Sequence, residues 1–136
     1  MKRFASPTVA VVGATGAVGR TMQAILAERD YPVGVIRLLA SERSAGTVVG
    51  TPWGPVTIED LALADPSGID VALFSAGGGR SKAYAPRFVD AGATVVDNSS
   101  AFRMDPDVPL VVADFIGAYT VIVVNAAVSA RWVRAA

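Results

Sequence analysis

The feature that most constrains this chain is Gly13-Ala14-Thr15-Gly16-Ala17-Val18-Gly19, placed directly after the β-branched run Thr8-Val9-Ala10-Val11-Val12. A short apolar run closed by a glycine turn reads as a buried parallel strand. Residues 16–29 carry Val18, Met22, Ile25 and Leu26 on one face at helical spacing, and read as a helix. Glycine is needed where such a turn is tight and where backbone must approach a pyrophosphate without a Cβ in the way. The N–H groups that open the helix then meet the negative charge. An ordinary tight βα turn would use the same glycines, so the motif takes its meaning from its context.

That context repeats the strand–helix unit. Residues 33–40 read as a second strand, and residues 47–50 and 55–58 flank Pro52-Trp53-Gly54 as a short hairpin. Residues 69–74 read as a further buried strand, 81–91 as a helix carrying Tyr84, Phe88 and Val89, and 94–97 as another strand. Strands that are apolar throughout and alternate with helices predict an α/β fold, a parallel sheet with helices on both faces. The length of 136 residues allows one domain.

Composition narrows the function. Twelve basic and twelve acidic side chains cancel, which argues against a nucleic-acid or membrane-surface role driven by overall charge. The sequence holds no cysteine, hence no thiolate nucleophile, no disulfide framework and no thiolate metal site, which is compatible with a reducing, cytoplasmic location. It also holds no histidine, the commonest general base and metal ligand. No catalytic residue and no metal ligand is assigned. Met1-Lys2-Arg3-Phe4 opens like a signal peptide, but Pro7, Gly13 and Gly16 interrupt the apolar run too early for one. Residues 110–133 approach the length of a bilayer span, yet Asp114 and Asn125 lie within them. No membrane span is expected; this segment can instead supply a partner for the preceding strands.

Three further clusters are candidates for ligand contact. Domains selective for NAD place an Asp or Glu about 20 residues after the glycines to accept from the ribose 2′-hydroxyl. Here the second strand runs into Ser41-Glu42-Arg43-Ser44. Ser41, Arg43 and Ser44 can donate to a 2′-phosphate, and Arg43 suits that dianion by charge and fork geometry, with Glu42 as the dissenting residue. NADP is therefore the expected cofactor, the alternative for Arg43 being a solvated loop charge. Ser75-Ala76-Gly77-Gly78-Gly79 follows the next strand at the sheet edge where ligands gather, and it also serves as a flexible turn before a helix. Asp97-Asn98-Ser99-Ser100-Ala101-Phe102-Arg103 ends a strand at the same edge. Its hydroxyls, amide and guanidinium make an oxyanion pocket with Arg103 as anchor, although Asn-Ser-Ser is also good turn sequence.

GATGAVG after a strand, then RLLASERSAG, FSAGG and VVDNSSAFRMDPDVPLVV, resemble the aspartate-semialdehyde dehydrogenase family in order and spacing over residues 8–112, most specifically in DNSSAFR. The resemblance implies a Rossmann-type domain over residues 1–112 and a divergent apolar tail over 113–136. It implies that Thr15, Gly16, Ala17 and Val18 hold the NADP pyrophosphate, within a loop framed by Gly13 and Gly19. Arg43 and Ser44 would take the 2′-phosphate, and Ser75, Ala76 and Gly77 would line the cofactor site. Arg103, beside Asn98 and Ser99, would bind the phosphate of the substrate. Family members form homo-oligomers and reduce aspartyl phosphate to aspartate semialdehyde with NADPH, on the route to lysine, methionine and threonine. They use a Cys that forms a thioester and a His that moves protons.

The sequence departs from that pattern after Val112. Ala113-Asp114-Phe115-Ile116 replaces an expected Glu-Val-Asn, and an echo of the later strand and Asn turn over residues 121–128 puts Val128 where the Cys belongs. Valine forms no thioester, and thiol chemistry needs a thiolate with a base. The expected function is that of a truncated NADP-binding half, inactive alone. The alternatives are a non-catalytic NADP-binding module or subunit that pairs with another chain, and a non-functional fragment whose apolar tail drives self-association.

Overall fold

A computed structural model describes residues 6–108, 110–113 and 122–127. In chain order these form β1 (Thr8–Val12), α1 (Ala17–Glu28), β2 (Val35–Ala40), β3 (Val48–Thr51), β4 (Gly54–Asp60), β5 (Val71–Phe74), α2 (Gly78–Asp90), β6 (Thr94–Asp97), β7 (Leu110–Ala113) and β8 (Ile122–Ala127). One sheet orders them β3-β4-β2-β1-β5-β6-β8-β7.

The apolar continuity of β1 follows from its place. It pairs in parallel with β2 on one side and β5 on the other, and residues 9–12 have no exposed surface. Because strand side chains alternate, Val9 and Val11 point to one face and Ala10 and Val12 to the other. Val9 and Val11 join Ile36, Leu38, Ala40 and Ile58 in a core against which Met22 and Leu26 of α1 pack. Ala10 and Val12 join Leu39, Ala72, Phe74 and Val95 in a second core with Ala85 and Phe88 of α2. There the Phe74 and Phe88 rings meet edge to face, 5.1 Å between centroids, a favoured aromatic geometry. The two helices thus cover opposite faces, as the strand–helix alternation predicts.

Three expectations change. The five strands β4, β2, β1, β5 and β6 run parallel as expected and β3 forms the expected hairpin with β4, but the sheet is extended by β8, antiparallel to β6, and β7, antiparallel to β8. Connection length accounts for the hairpins, since a parallel crossover needs a dozen or more residues. Only Pro52 and Trp53 separate β3 from β4, and eight positions separate Ala113 from Ile122. Val18 does not face the core: it is 47 % exposed, and Gly19 is the buried residue of that first turn. The second helix starts at Gly78 rather than Ser81, with Gly77 as its N-cap at φ 85°.

The segment 122–127 does supply the extra strand, alongside β6. Among the described residues no helix is long and apolar enough to cross a membrane. The other expectations for residues 114–121 and 128–136, including the position of Val128, and for Met1–Phe4 lie outside the described residues.

Candidate functional site

The loop between β1 and α1 is held by its own backbone. The amides of Gly13 and Ala14 both donate to the Leu39 carbonyl, at 2.9 and 3.2 Å, and Gly16 N–H donates to Gly13 O at 3.1 Å. Gln23 reaches back from α1 to donate to Ala14 O and Gly19 O, both at 3.1 Å. Two of the three glycines are dictated by the protein itself. At Gly13 (φ +85°) a Cβ would lie 2.2 Å from Ser75 O, and at Gly19 a Cβ would lie 2.2 Å from Gly13 O. Gly16 differs: its φ is −74° and its Cβ would make only an ordinary contact, 3.4 Å from Gly13 O. Nothing in the described protein requires glycine there, so the space beside Gly16 is open to a ligand.

Gly16 is also the N-cap of α1, and no side chain caps the helix. The first intrahelical bond is Arg20 N–H to Gly16 O, 3.0 Å. The amides of Ala17, Val18 and Gly19 therefore have no intrahelical acceptor, as in any first turn, and the helix dipole adds positive potential where they point. An unengaged helix start beside a bare glycine is suited to a phosphate.

The ends of β2, β5 and β6 converge on the same sheet edge. After β2, the residues 41–45 form a tight turn in which Ser44 N–H and Ala45 N–H donate to Ser41 O, at 2.9 and 3.2 Å. After β5, Ser75 N–H donates to Val12 O at 2.8 Å, which ties this loop to the end of β1. After β6, Asn98 Nδ2 donates to Ser75 Oγ at 3.3 Å. A cavity of about 200 Å³ opens beside the loops that follow β1, β2 and β5, lined by Gly13, Thr15, Gly16, Ala40, Ser41, Leu61, Ser75, Ala76 and Arg80.

Of the sequence candidates, Gly13, Thr15, Gly16, Ser41, Ser75 and Ala76 line this cavity. Ala17, Val18 and Gly19 form the first turn of α1 behind it. Arg43 and Ser44 lie in the turn after Ser41, with Arg43 exposed and neither on the cavity wall. Gly77 caps α2. Three lining residues lie outside the sequence candidates, the apolar Ala40 and Leu61 and the cation Arg80; Arg80 escapes because it falls between the glycine loop 75–79 and a helix expected to start at Ser81. A cation directly after a glycine run that opens a helix is the signal that marks it.

The Asp97–Arg103 segment is built differently. Asp97 is fully buried. Its Oδ1 accepts from Ser81 Oγ at 3.0 Å and from Ser99 N–H at 2.9 Å, and its Oδ2 accepts from Ser99 Oγ at 2.7 Å. Ser99 Oγ in turn accepts from Ala101 N–H at 3.1 Å. Arg103 is exposed and donates to Asn98 O at 3.2 Å. The hydroxyl hydrogen of Ser99 is thus engaged by a carboxylate and the Asn98 side-chain amide by Ser75 Oγ, which leaves Arg103 as the exposed cation of this segment. None of Asn98, Ser99 and Arg103 lines the cavity. The buried Ser81–Asp97 bond also explains where α2 begins. It anchors the first turn, where glycine's poor helix propensity counts least because the amides have no intrahelical partner.

Comparison with known proteins bears on the family and the fold. A family model described as the semialdehyde dehydrogenase NAD-binding domain matches residues 8–118, six residues beyond Val112. The aspartate-semialdehyde dehydrogenase of Streptomyces akiyoshiensis is 55 % identical over 106 residues, covering 78 % of this chain and 30 % of the relative. The crystal structure of aspartate semialdehyde dehydrogenase II from Vibrio cholerae superposes with a TM-score of 0.75 at 48 % identity, over 79 % of this chain and 32 % of that one. The aspartate semialdehyde dehydrogenase of Candida albicans, solved with NADP, gives 0.67 at 27 % identity over 79 % of this chain and 33 % of that one. The chain spans about a third of the length of the proteins it matches.

Proposed function

This chain belongs to the semialdehyde dehydrogenase family, through its NAD-binding domain, and on that premise we propose that it binds NADP at the carboxyl edge of its sheet. The observation that carries the proposal is the loop 13–19. Its outer glycines are required by the fold, its middle one is not, and it delivers unengaged first-turn amides beside a cavity. Thr15, Gly16, Ala17 and Val18 bind the pyrophosphate. Ser41 and the turn carrying Arg43 and Ser44 meet the adenosine ribose and its 2′-phosphate, and Ser75, Ala76 and Gly77 border the cofactor. When bound, the nicotinamide would supply the hydride-transfer chemistry of the complete enzyme. Asn98 and Arg103, on the loop positioned by Ser99 and Asp97, hold the phosphate of an aspartyl-phosphate substrate. Residues 1–112 make up the cofactor-binding unit, and residues 122–127 of the tail add β8 beside β6.

The full reaction, reduction of aspartyl phosphate to aspartate semialdehyde in cytoplasmic lysine, methionine and threonine synthesis, needs a nucleophile and a proton carrier. These 136 residues contain neither Cys nor His, so a thioester route has no thiolate within them. That observation supports a second reading beside the first, in which these residues act as an NADP-binding module or subunit completed by another chain. In both readings the residues alone bind cofactor and do not turn it over.

A thermal-shift titration with NADP and, separately, NAD tests the proposal. A ligand at ~100 times its dissociation constant adds ~2.7 kcal/mol of stability, readily seen as a higher melting temperature. NADP is expected to stabilise well beyond NAD, with no NADPH oxidation in the presence of aspartyl phosphate. No shift with either cofactor would overturn the proposal.

A further inference from the structure

We infer that Arg80 is a specificity-determining residue of the cofactor cavity: its guanidinium pairs with the 2′-phosphate of a phosphorylated adenosine ribose and thereby selects NADP over NAD. The inference rests on the cofactor-binding reading and extends it to a residue on α2, across the sheet edge from the β2 turn.

Three observations carry it. Among the described residues Arg80 is the one charged side chain on the cavity wall, and no Asp or Glu lines it. A cavity with a cation and no carboxylate favours the cofactor with the extra dianion, whereas NAD-selective sites place a carboxylate near the ribose. Second, the Arg80 guanidinium is uncommitted. Arg37 is paired with Glu59, Arg87 donates to Ala62 O and Ala64 O, and Arg103 donates to Asn98 O. Among the described residues Arg80 is exposed and has neither a carboxylate nor a hydrogen-bond acceptor. Third, the pyrophosphate already has donors in the first turn of α1. The anion those amides do not serve is the one at the ribose, and Arg80 shares its cavity with Ser41, the residue that follows β2. Guanidinium suits that group, since it can make two parallel bonds to one phosphate.

Arg80 lines the cavity and Arg43 does not, which ranks the two. Isothermal titration of NADP and NAD into the wild-type chain and the Arg80→Gln, Arg80→Lys and Arg43→Gln variants tests the inference. Arg80→Gln is expected to weaken NADP roughly ten- to hundredfold, the loss typical of removing a hydrogen bond to a charged group. NAD affinity should hold, Arg80→Lys should recover part of the loss, and Arg43→Gln should cost less than Arg80→Gln. Adenosine 2′,5′-bisphosphate should follow NADP, and AMP should follow NAD. Equal losses for NADP and NAD would move the cation to the pyrophosphate and overturn the inference, as would unchanged NADP affinity. If the variants keep wild-type NADP binding, only the role of Arg80 falls. If the wild-type chain binds neither cofactor, the cofactor-binding reading falls and takes this one with it. Because Arg80 is exposed and unbonded, the variants should melt with the wild type, which separates lost binding from lost folding.

Discussion

The loops that follow β1 and β6 lie at the same sheet edge and are built on opposite principles. Residues 13–19 are shaped by backbone: glycines at 13 and 19 let main chain approach main chain, and the first-turn amides of α1 are left without partners. Residues 97–103 are shaped by side chains. A buried carboxylate gathers Ser81, Ser99 and the Ser99 amide, and Arg103 closes on Asn98 O. The first loop keeps its donors available, while the second uses most of its polar groups to hold itself. Richness in hydroxyls and amides is therefore a poor guide to binding capacity. Whether the donors are already engaged decides it, because a donor must leave its present acceptor before it can serve a ligand.

The sharpest way to break the comparison is Gly13→Ala. A Cβ placed 2.2 Å from Ser75 O at φ +85° has no room to relax, and the expected cost is at least ~3 kcal/mol, read by urea unfolding. A variant that unfolds with the wild type would remove the backbone account of this loop. Asp97→Ala comes next. It strips the acceptor from three donors at a fully buried position, and about 2–4 kcal/mol should be lost, with α2 fraying first by hydrogen exchange. Loss without any effect on α2 would detach Ser81 from the story.

Gly16→Ala sharpens the contrast within the first loop. The φ of −74° suits alanine and the new Cβ has room, so stability should stay within ~0.5 kcal/mol of wild type. NADP affinity should nevertheless drop by roughly tenfold or more, about 1.4 kcal/mol for each tenfold step. Unchanged affinity would mean that no ligand approaches Gly16. The smallest effect lies away from both loops. The Asp65 carboxyl is held below its ordinary value by hydrogen bonds from Ser67, with smaller help from Arg37 and Arg87. A carboxyl depressed in the folded state stabilises above its unfolded value, and that contribution fades as pH falls through the folded one. Asp65→Asn should therefore flatten the acid limb of a stability–pH curve slightly, the group being exposed and screened. A steeper acid limb in the variant would contradict that sign.

Much of this architecture is legible in the sequence because its signals are local. Residues 8–12 and 94–97 read as strands and form β1 and β6 with those bounds, since a β-branched run ending at glycine or at a polar turn leaves little choice. The glycine loop is legible for the same reason. What the sequence hides depends on distant partners. Val18 fits the helical apolar stripe, yet the close approach of Gly19 to Gly13 O turns Gly19 inward and leaves Val18 in solvent. Gly78 and Gly79 read as loop because glycine disfavours helix, and the bond from Ser81 to Asp97, 16 positions away, overrides that preference. Arg80 disappeared from view with them. The antiparallel edge of β3 and β4 is legible as a hairpin, but that of β7 and β8 is hidden, since periodicity tells a strand from a helix but carries no strand direction.

The most direct test of the central claim is a backbone amide NMR titration of the chain with NADP, followed residue by residue. The account predicts that the amides of Ala17, Val18 and Gly19 shift most, accompanied by Thr15, Ser41 and Ser75, while Ser99 and Ala101, already bonded within their own loop, stay nearly still. Shifts centred on residues 97–103 with a silent glycine loop, or no shifts at saturating cofactor, would contradict it.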